Sequence, residues 1–337
     1  MFRTPRRLGA VAVATLVALT AAACSGSSDA STDDSSSTTA AAASEEGAWP
    51  RTVSHELGDT EIDAEPVRIV STSLTLAGIL LSIDAPIVSA AGSTPAASNQ
   101  DTGFFDWWAD VAVDRGVEVL NQNLEFDEEA VIAADPDLIV ISTTGADATA
   151  DQYDALSAIA PTVAIDYSAA TWQEIALQLG EYTGHEEDAQ ATVDTFDARV
   201  AEVAAAITVP EGTTNAVVFN GDGNDTAFAK PQGSHGTLLT SLGFDVVGAD
   251  DALDTSDQAR TDFAFVSLEN TVTALTGDTV LIINGGEDKV AALQAEPVLA
   301  NAPAVRSGQV YSLGEDSFRI DYFSATEILD IVEGLFS

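Results

Sequence analysis

The chain carries 54 aspartates and glutamates against 12 lysines and arginines in 337 residues, a formal net charge of −42. Such a surface repels phosphate backbones and excludes nucleic acid as a partner, and high salt would screen its self-repulsion. A single cysteine excludes an intrachain disulfide and a cysteine-cluster metal centre, so packing must hold a core that the length allows to form two lobes.

Arg3, Arg6 and Arg7 open the chain with no acid among them, and residues 8–23 are an apolar, small-residue run. At about sixteen residues the run is short of the ~20 that span a bilayer, so residues 1–23 read as a secretory signal. The run ends Ala21-Ala22-Ala23-Cys24, which resembles a bacterial lipobox with Ala21 where leucine is commoner. That resemblance implies acylation of Cys24 and anchoring to the outer face of the cytoplasmic membrane. A plain signal cleaved after Ala23 is the alternative. Residues 24–47 are Ser-, Thr-, Ala- and Asp-rich with no large apolar side chain. They cannot bury enough surface to fold and read as a tether reaching on the order of 27 Å.

From Trp49 onward, short β-branched runs alternate with helical stretches. Candidate strands are 67–70, 87–88, 138–141 and 162–165, then 216–219, 244–247, 279–283 and 310–311. Continuous apolar runs bounded by Gly, Pro, Asp or Asn indicate buried parallel strands. Helices fit at 74–81, 127–134 and 151–159. Between the two sets, Ala189, Val193, Phe196, Val200, Val203 and Ile207 form one stripe of an amphipathic helix roughly 33 Å long. The fold class expected is α/β: two α/β lobes with central parallel sheets joined by a single long helix. The boundaries are 48–184 for the N-terminal lobe, 185–209 for the connecting helix and 210–337 for the C-terminal lobe. A cleft between lobes is where a ligand would sit.

Catalytic signatures are weak. The chain has no Gly-x-Ser-x-Gly elbow, and its three histidines, His55, His185 and His235, have no zinc spacing and read as solvated or loop residues. The loop 220–225 fails as a calcium site, with Asp225 where glycine is needed and Pro231 where glutamate belongs. No phosphate loop or dinucleotide fingerprint follows any strand. No metal site, cofactor or enzymatic activity is expected, and iron, if bound, would arrive already chelated.

Four segments together resemble the ferric siderophore-binding proteins of ABC importers, most closely the ferric enterobactin-binding branch. They are 68–87 (RIVSTSLTLAG to LSIDAPI), 136–162 (PDLIVISTTG to YDALSAIAPT), 178–186 (QLGEYTGHE) and 303–325 (PAV, then VYSLGEDSFRIDYFSA). The resemblance implies a class III, helical-backbone substrate-binding protein, expected to act as a monomer that takes a ferric siderophore and passes it to an ABC permease and its ATPase. Arg319, within the most specific segment, suits the oxygens of an anionic iron-catecholate complex, because guanidinium offers five donors in a planar fork. Phe228 falls where the family places a large aromatic, and either stacks on catechol rings or belongs to the core. Ser71, Thr72, Thr143, Thr144 and Gly145 lie beyond carboxyl ends of first-lobe strands, where open parallel sheets bind ligands. Trp107 and Trp108 read as packing.

Relatives carry an arginine in the first-lobe loop between Thr-Pro and Gly-Phe; here the loop, residues 94–104, has no base and one acid. A less negative ligand than ferric enterobactin is therefore expected, such as a mixed catecholate or a hydroxamate, unless Lys230 or Arg260 supplies the charge. The family's permease contacts, one glutamate per lobe, match Glu129 and Glu269. Heme or a corrinoid in the same fold, or a sensor or adhesin that does not transport, are the competing readings.

Overall fold

The computed structural model describes residues 49–94, 99, 101–221, 223–256 and 260–337. The signal, Cys24 and the tether through residue 47 lie outside these. The described chain opens with an antiparallel hairpin, β1 (Arg51–His55) and β2 (Gly58–Ile62).

The first lobe alternates strand and helix. β3 (Ile69–Ser71) leads to α1 (Leu74–Ser82) and β4 (Ile87–Ala90), then α2 (Asp106–Asp114), β5 (Glu118–Val119) and α3 (Glu128–Ala133). β6 (Leu138–Ser142), α4 (Tyr153–Ser157), β7 (Thr162–Ile165) and α5 (Trp172–Thr183) complete it. Its five strands run parallel in the order β5-β4-β3-β6-β7. β3, β6 and β7 are buried along their whole length, as expected for a sheet covered on both faces. The chain winds outward one way through β4 and β5 and the other way through β7. The crevice between the ends of β3 and β6 is thus a topological switch point, the usual ligand position in such sheets.

The connector α6 (Glu186–Ala206) buries Ala189, Val193, Phe196 and Val203, one face of a 21-residue helix. Beyond it lie β8 (Thr213–Val218), β9 (Thr226–Ala229), α7 (Ser234–Ser241), β10 (Asp245–Val246), β11 (Phe263–Val266) and α8 (Leu268–Ala274). β12 (Thr279–Ile282), α9 (Glu287–Ala295), α10 (Pro303–Ser307), β13 (Val310–Ser312) and α11 (Tyr322–Phe336) close the chain. The second sheet runs β11-β9-β8-β12-β13, with β10 also on β8. β12 pairs in parallel with β8 and β13, whereas β9 pairs antiparallel with both β8 and β11. The second lobe is therefore a parallel core with an antiparallel edge, and β9 and β11 are strands that periodicity does not reveal.

The last helix departs from a plain two-lobe division. The start of α11 sits on the first lobe: Asp321 accepts a hydrogen bond from Trp107, and the Tyr322 ring meets Trp172 at 5.8 Å. Its end sits on the second lobe, with Phe336 edge-on to Phe244 at 5.5 Å and Tyr311 at 5.0 Å. Arg199 of α6 binds Asp330 and Glu333 of α11 at 2.8 and 2.6 Å. The lobes thus share a spine of two packed helices, although the chain passes between them through α6 and returns with α11.

Candidate functional site

Loops after β3 and β6 build the switch-point wall. Ser73 caps α1, accepting from the Leu76 amide, and donates to Oδ2 of Asp147 at 2.6 Å. Asp147, 4 % exposed, accepts at its other oxygen from the Tyr167 hydroxyl at 2.7 Å. Gly145, at φ +80°, permits this approach: a Cβ there would stand 1.7 Å from the Tyr167 hydroxyl. Burial pushes the Asp147 carboxyl up, but Arg319 and the hydrogen bonds from Ser73 and Tyr167 outweigh it and hold the carboxyl below its usual range.

Arg319 enters from the second lobe, in the turn between β13 and α11. Its Nη1 donates to Thr75 Oγ1 and stands 3.4 Å from Asp147 Oδ1, and its guanidinium lies 5.7 Å from the Phe105 ring centre. Around it is a cavity of about 200 Å³ between the lobes. Thr75, Gly145, Tyr167 and Trp172 line one side; His235, Arg260, Asp262, Phe263, Phe265 and Phe318 line the other. Phe263 and Phe318 stack at 5.9 Å. Arg260 makes a two-toothed ion pair with Asp262, Nε to Oδ1 at 2.8 Å and Nη2 to Oδ2 at 2.6 Å. Aromatic faces around two guanidinium groups suit a flat, oxygen-rich anionic ligand.

The structure sorts the residues expected here. Arg319 and Gly145 line the cavity, as does Arg260. Lys230 does not: its Nζ donates to the Arg260 carbonyl at 2.9 Å and lies 3.4 Å from Asp251 and 3.7 Å from Asp254, so of the two candidate replacement bases only Arg260 faces the cleft. Phe228 is a correction. It is the third residue of β9, 0 % exposed, packed among Val217, Phe219, Val266 and Val280, where no ligand could reach it. Ser71 and Thr72 are also buried, their hydroxyls spent on the Ser73 carbonyl and the Thr149 hydroxyl. Thr143 and Thr144 are half-buried in the loop beside Gly145 but outside the cavity lining. Glu129 and Glu269 are exposed in the first turns of α3 and α8.

Two titratable groups are buried, and the first differs from expectation. His235, read as a loop residue, is 4 % exposed in the first turn of α7, and its Nε2 lies 2.7 Å from the Ser317 carbonyl. A carbonyl only accepts, so Nε2 carries the proton, and burial lowers the imidazole pKa to about 4, leaving the ring neutral. Asp321 caps α11, with Oδ1 accepting from the Ser324 amide at 2.9 Å and Oδ2 from Trp107 Nε1 at 3.0 Å. Burial raises it to about 6. Gly78 of α1 leaves the room it needs, since a Cβ there would fall 2.2 Å from Oδ2.

A two-lobed α/β body on a helical spine, with a polar-aromatic cavity at the switch point between lobes, defines a substrate-binding protein. The model of the family described as periplasmic binding protein matches residues 69–317, and the chain belongs to that family. It is 38 % identical over 293 residues to the ferric enterobactin-binding periplasmic protein FepB of Escherichia coli O6:H1, covering 86 % of this chain and 91 % of that one. It is 24 % identical over 295 residues to a putative ABC transporter substrate-binding lipoprotein, YhfQ, of Bacillus subtilis, covering 82 % and 86 %. Among solved structures, holo-ViuP superposes with a TM-score of 0.81 at 38 % identity, covering 86 % of this chain and 96 % of that chain.

Proposed function

We propose that this protein binds a ferric siderophore bearing catechol groups in the inter-lobe cavity and delivers it to an ABC importer for iron uptake. The observation that carries this reading is Arg319: a guanidinium from the second lobe, set at the switch point of the first, inside a cavity walled by aromatic rings. The 38 % identity to a ferric enterobactin-binding protein over most of both chains supports the ligand class. Arg319 and Arg260 would face the oxygens of the iron complex, with Gly145 in the wall beside them. Iron would be held by its chelator. The protein would act as a monomeric carrier and not as an enzyme.

Glu129 and Glu269, exposed on one helix of each lobe, would meet the permease. Acylation at Cys24 would hold the carrier at the outer face of the membrane, the acidic tether giving it reach.

Titration of the purified protein with a panel of ferric siderophores, their iron-free chelators, hemin and cobalamin, followed by tryptophan fluorescence, tests the reading. Trp172 lines the cavity and reports directly. Saturable sub-micromolar quenching by a ferric siderophore is the expected result. Binding of hemin or cobalamin alone would replace the siderophore with that ligand.

A further inference from the structure

We propose that Asp147 and Asp262 set the charge of the complex this cleft accepts, each neutralising one cavity arginine in advance, so that ferric complexes of low net charge are favoured over a trianionic tris-catecholate. The inference rests on the siderophore reading above and specifies its ligand.

The arginines of the cavity are not free cations. Arg319 stands 3.4 Å from the buried Asp147 carboxylate, and Arg260 is engaged by both oxygens of Asp262 at 2.8 and 2.6 Å. Asp147 is held ionised by Arg319, Ser73 and Tyr167. A third acid, Asp166, is near enough to Arg260 to favour its charged form. His235 adds no charge, being buried and neutral. Counting Arg319, Arg260, Asp147 and Asp262, the formal charge at the cleft is zero, and Asp166 makes it negative. A ligand oxygen on the open side of either guanidinium meets attraction from the arginine and repulsion from the carboxylate behind it at only slightly longer range. For a complex with one negative charge or none, the arginines still donate directional hydrogen bonds at little electrostatic cost. With three negative charges attraction and repulsion both triple, so their sum stays small and turns unfavourable where Asp166 adds to the acids. The cost of desolvating the ligand meanwhile rises more steeply, and the number of donors stays the same.

The test compares three ferric complexes: a neutral tris-hydroxamate, a monoanionic mixed-donor complex and a trianionic tris-catecholate. Their affinities are read by tryptophan quenching on the wild type and on Asp262→Asn. The wild type is expected to bind the monoanionic complex, in which one catechol is kept among the mixed donors, about tenfold or more tighter than the trianion. Asp262→Asn should raise trianion affinity by about the same factor and leave the neutral complex within a few-fold. Asp147→Asn should act in the same direction, but Asp147 also holds Ser73 and Tyr167, so Asp262→Asn is the decisive variant. Repeating the comparison near 1 M salt, where the screening length is about 3 Å, removes the contribution of the acidic surface. Discrimination that persists there supports a local origin; discrimination that vanishes overturns it. Tightest binding of the trianion by the wild type overturns the proposal while leaving the siderophore reading intact. If none of the three complexes binds, both fall together.

Discussion

Arg319 Nη1 stands 3.4 Å from Asp147 Oδ1 across 172 positions of sequence, joining the turn that precedes α11 to the switch point of the first sheet. The same guanidinium holds the Thr75 hydroxyl at the first turn of α1. The residue therefore belongs to both lobes at once, and its removal should act on the ligand and on the contact between the lobes together.

Arg319→Ala should weaken siderophore binding roughly ten- to a hundredfold, because a hydrogen bond to a charged group contributes about 1.5–3 kcal/mol. Arg319→Lys should recover only part of this, since an ammonium cannot reproduce the planar fork. Quenching titrations on both variants measure it. Equal affinity of the alanine variant and wild type would remove Arg319 from the site.

Asp321 gives a pH signature. Its pKa is about 6 in the folded protein against an ordinary 3.8, so the folded state holds the proton more tightly than the unfolded chain. The stabilisation this gives is complete below about pH 4 and is lost as pH rises to about 6. Above that, burial of the ionised carboxylate costs on the order of 3 kcal/mol. Asp321→Asn keeps a cap for the Ser324 amide but cannot accept from Trp107, a constant loss. Burial and nearby acids, Asp321 among them, raise Glu327, so the variant relieves Glu327 as well, in the same direction. The unfolding free energy of the variant relative to wild type, from denaturant melts, should therefore rise between pH 4 and 6 and then level off. A flat difference would refute the assignment.

How much of this was readable from the residues depends on how local each cause is. β6 stands out because 138–141 is an unbroken apolar run, β7 because Val163-Ala164-Ile165 follows Pro161-Thr162, and α6 because its apolar stripe runs for about five turns. β9 does not, being four residues between the Gly- and Asn-rich loop at 220–225 and Lys230-Pro231. Its identity as a strand comes from pairing with β8 and β11, and with it the burial of Phe228. Arg319 and Gly145 were legible, one as a rare base in a specific segment and the other at the end of a buried strand. Asp147 was not, being one acid among 54 whose partner is distant in sequence. Its place just after β6 at the switch point was the signal that could have found it. His235 owes its burial to a carbonyl 82 residues away.

The placement of Phe228 separates two roles by experiment. Phe228→Ala should destabilise the fold by about 3–5 kcal/mol, the usual result of emptying a packed aromatic site. Phe228→Leu should cost less and leave ligand affinity unchanged in the folded protein. Thermal melts and quenching titrations on the two variants decide between core and ligand contact. A leucine variant that melts normally but binds poorly would return Phe228 to the cleft.

Glu129 and Glu269 offer the sharpest test of delivery as distinct from capture. Each lies in the first turn of its helix, where a carboxylate is favoured by the helix dipole to the extent of about 0.3–1 kcal/mol. Neither forms an ion pair with a base among the described residues, so neither holds the fold through one. If the dipole were their whole role, Glu129→Ala and Glu269→Ala would lower stability slightly and leave transport alone. If they dock to basic residues of the permease, each variant should cut siderophore-dependent iron uptake several-fold in reconstituted vesicles, and the pair should nearly abolish it. Affinity for the ferric complex should stay at the wild-type value throughout, because both residues lie outside the cavity lining. Charge reversal to lysine should be worse than alanine, since repulsion then replaces a lost attraction. Uptake that survives the double reversal would mean that the carrier meets its importer through another surface.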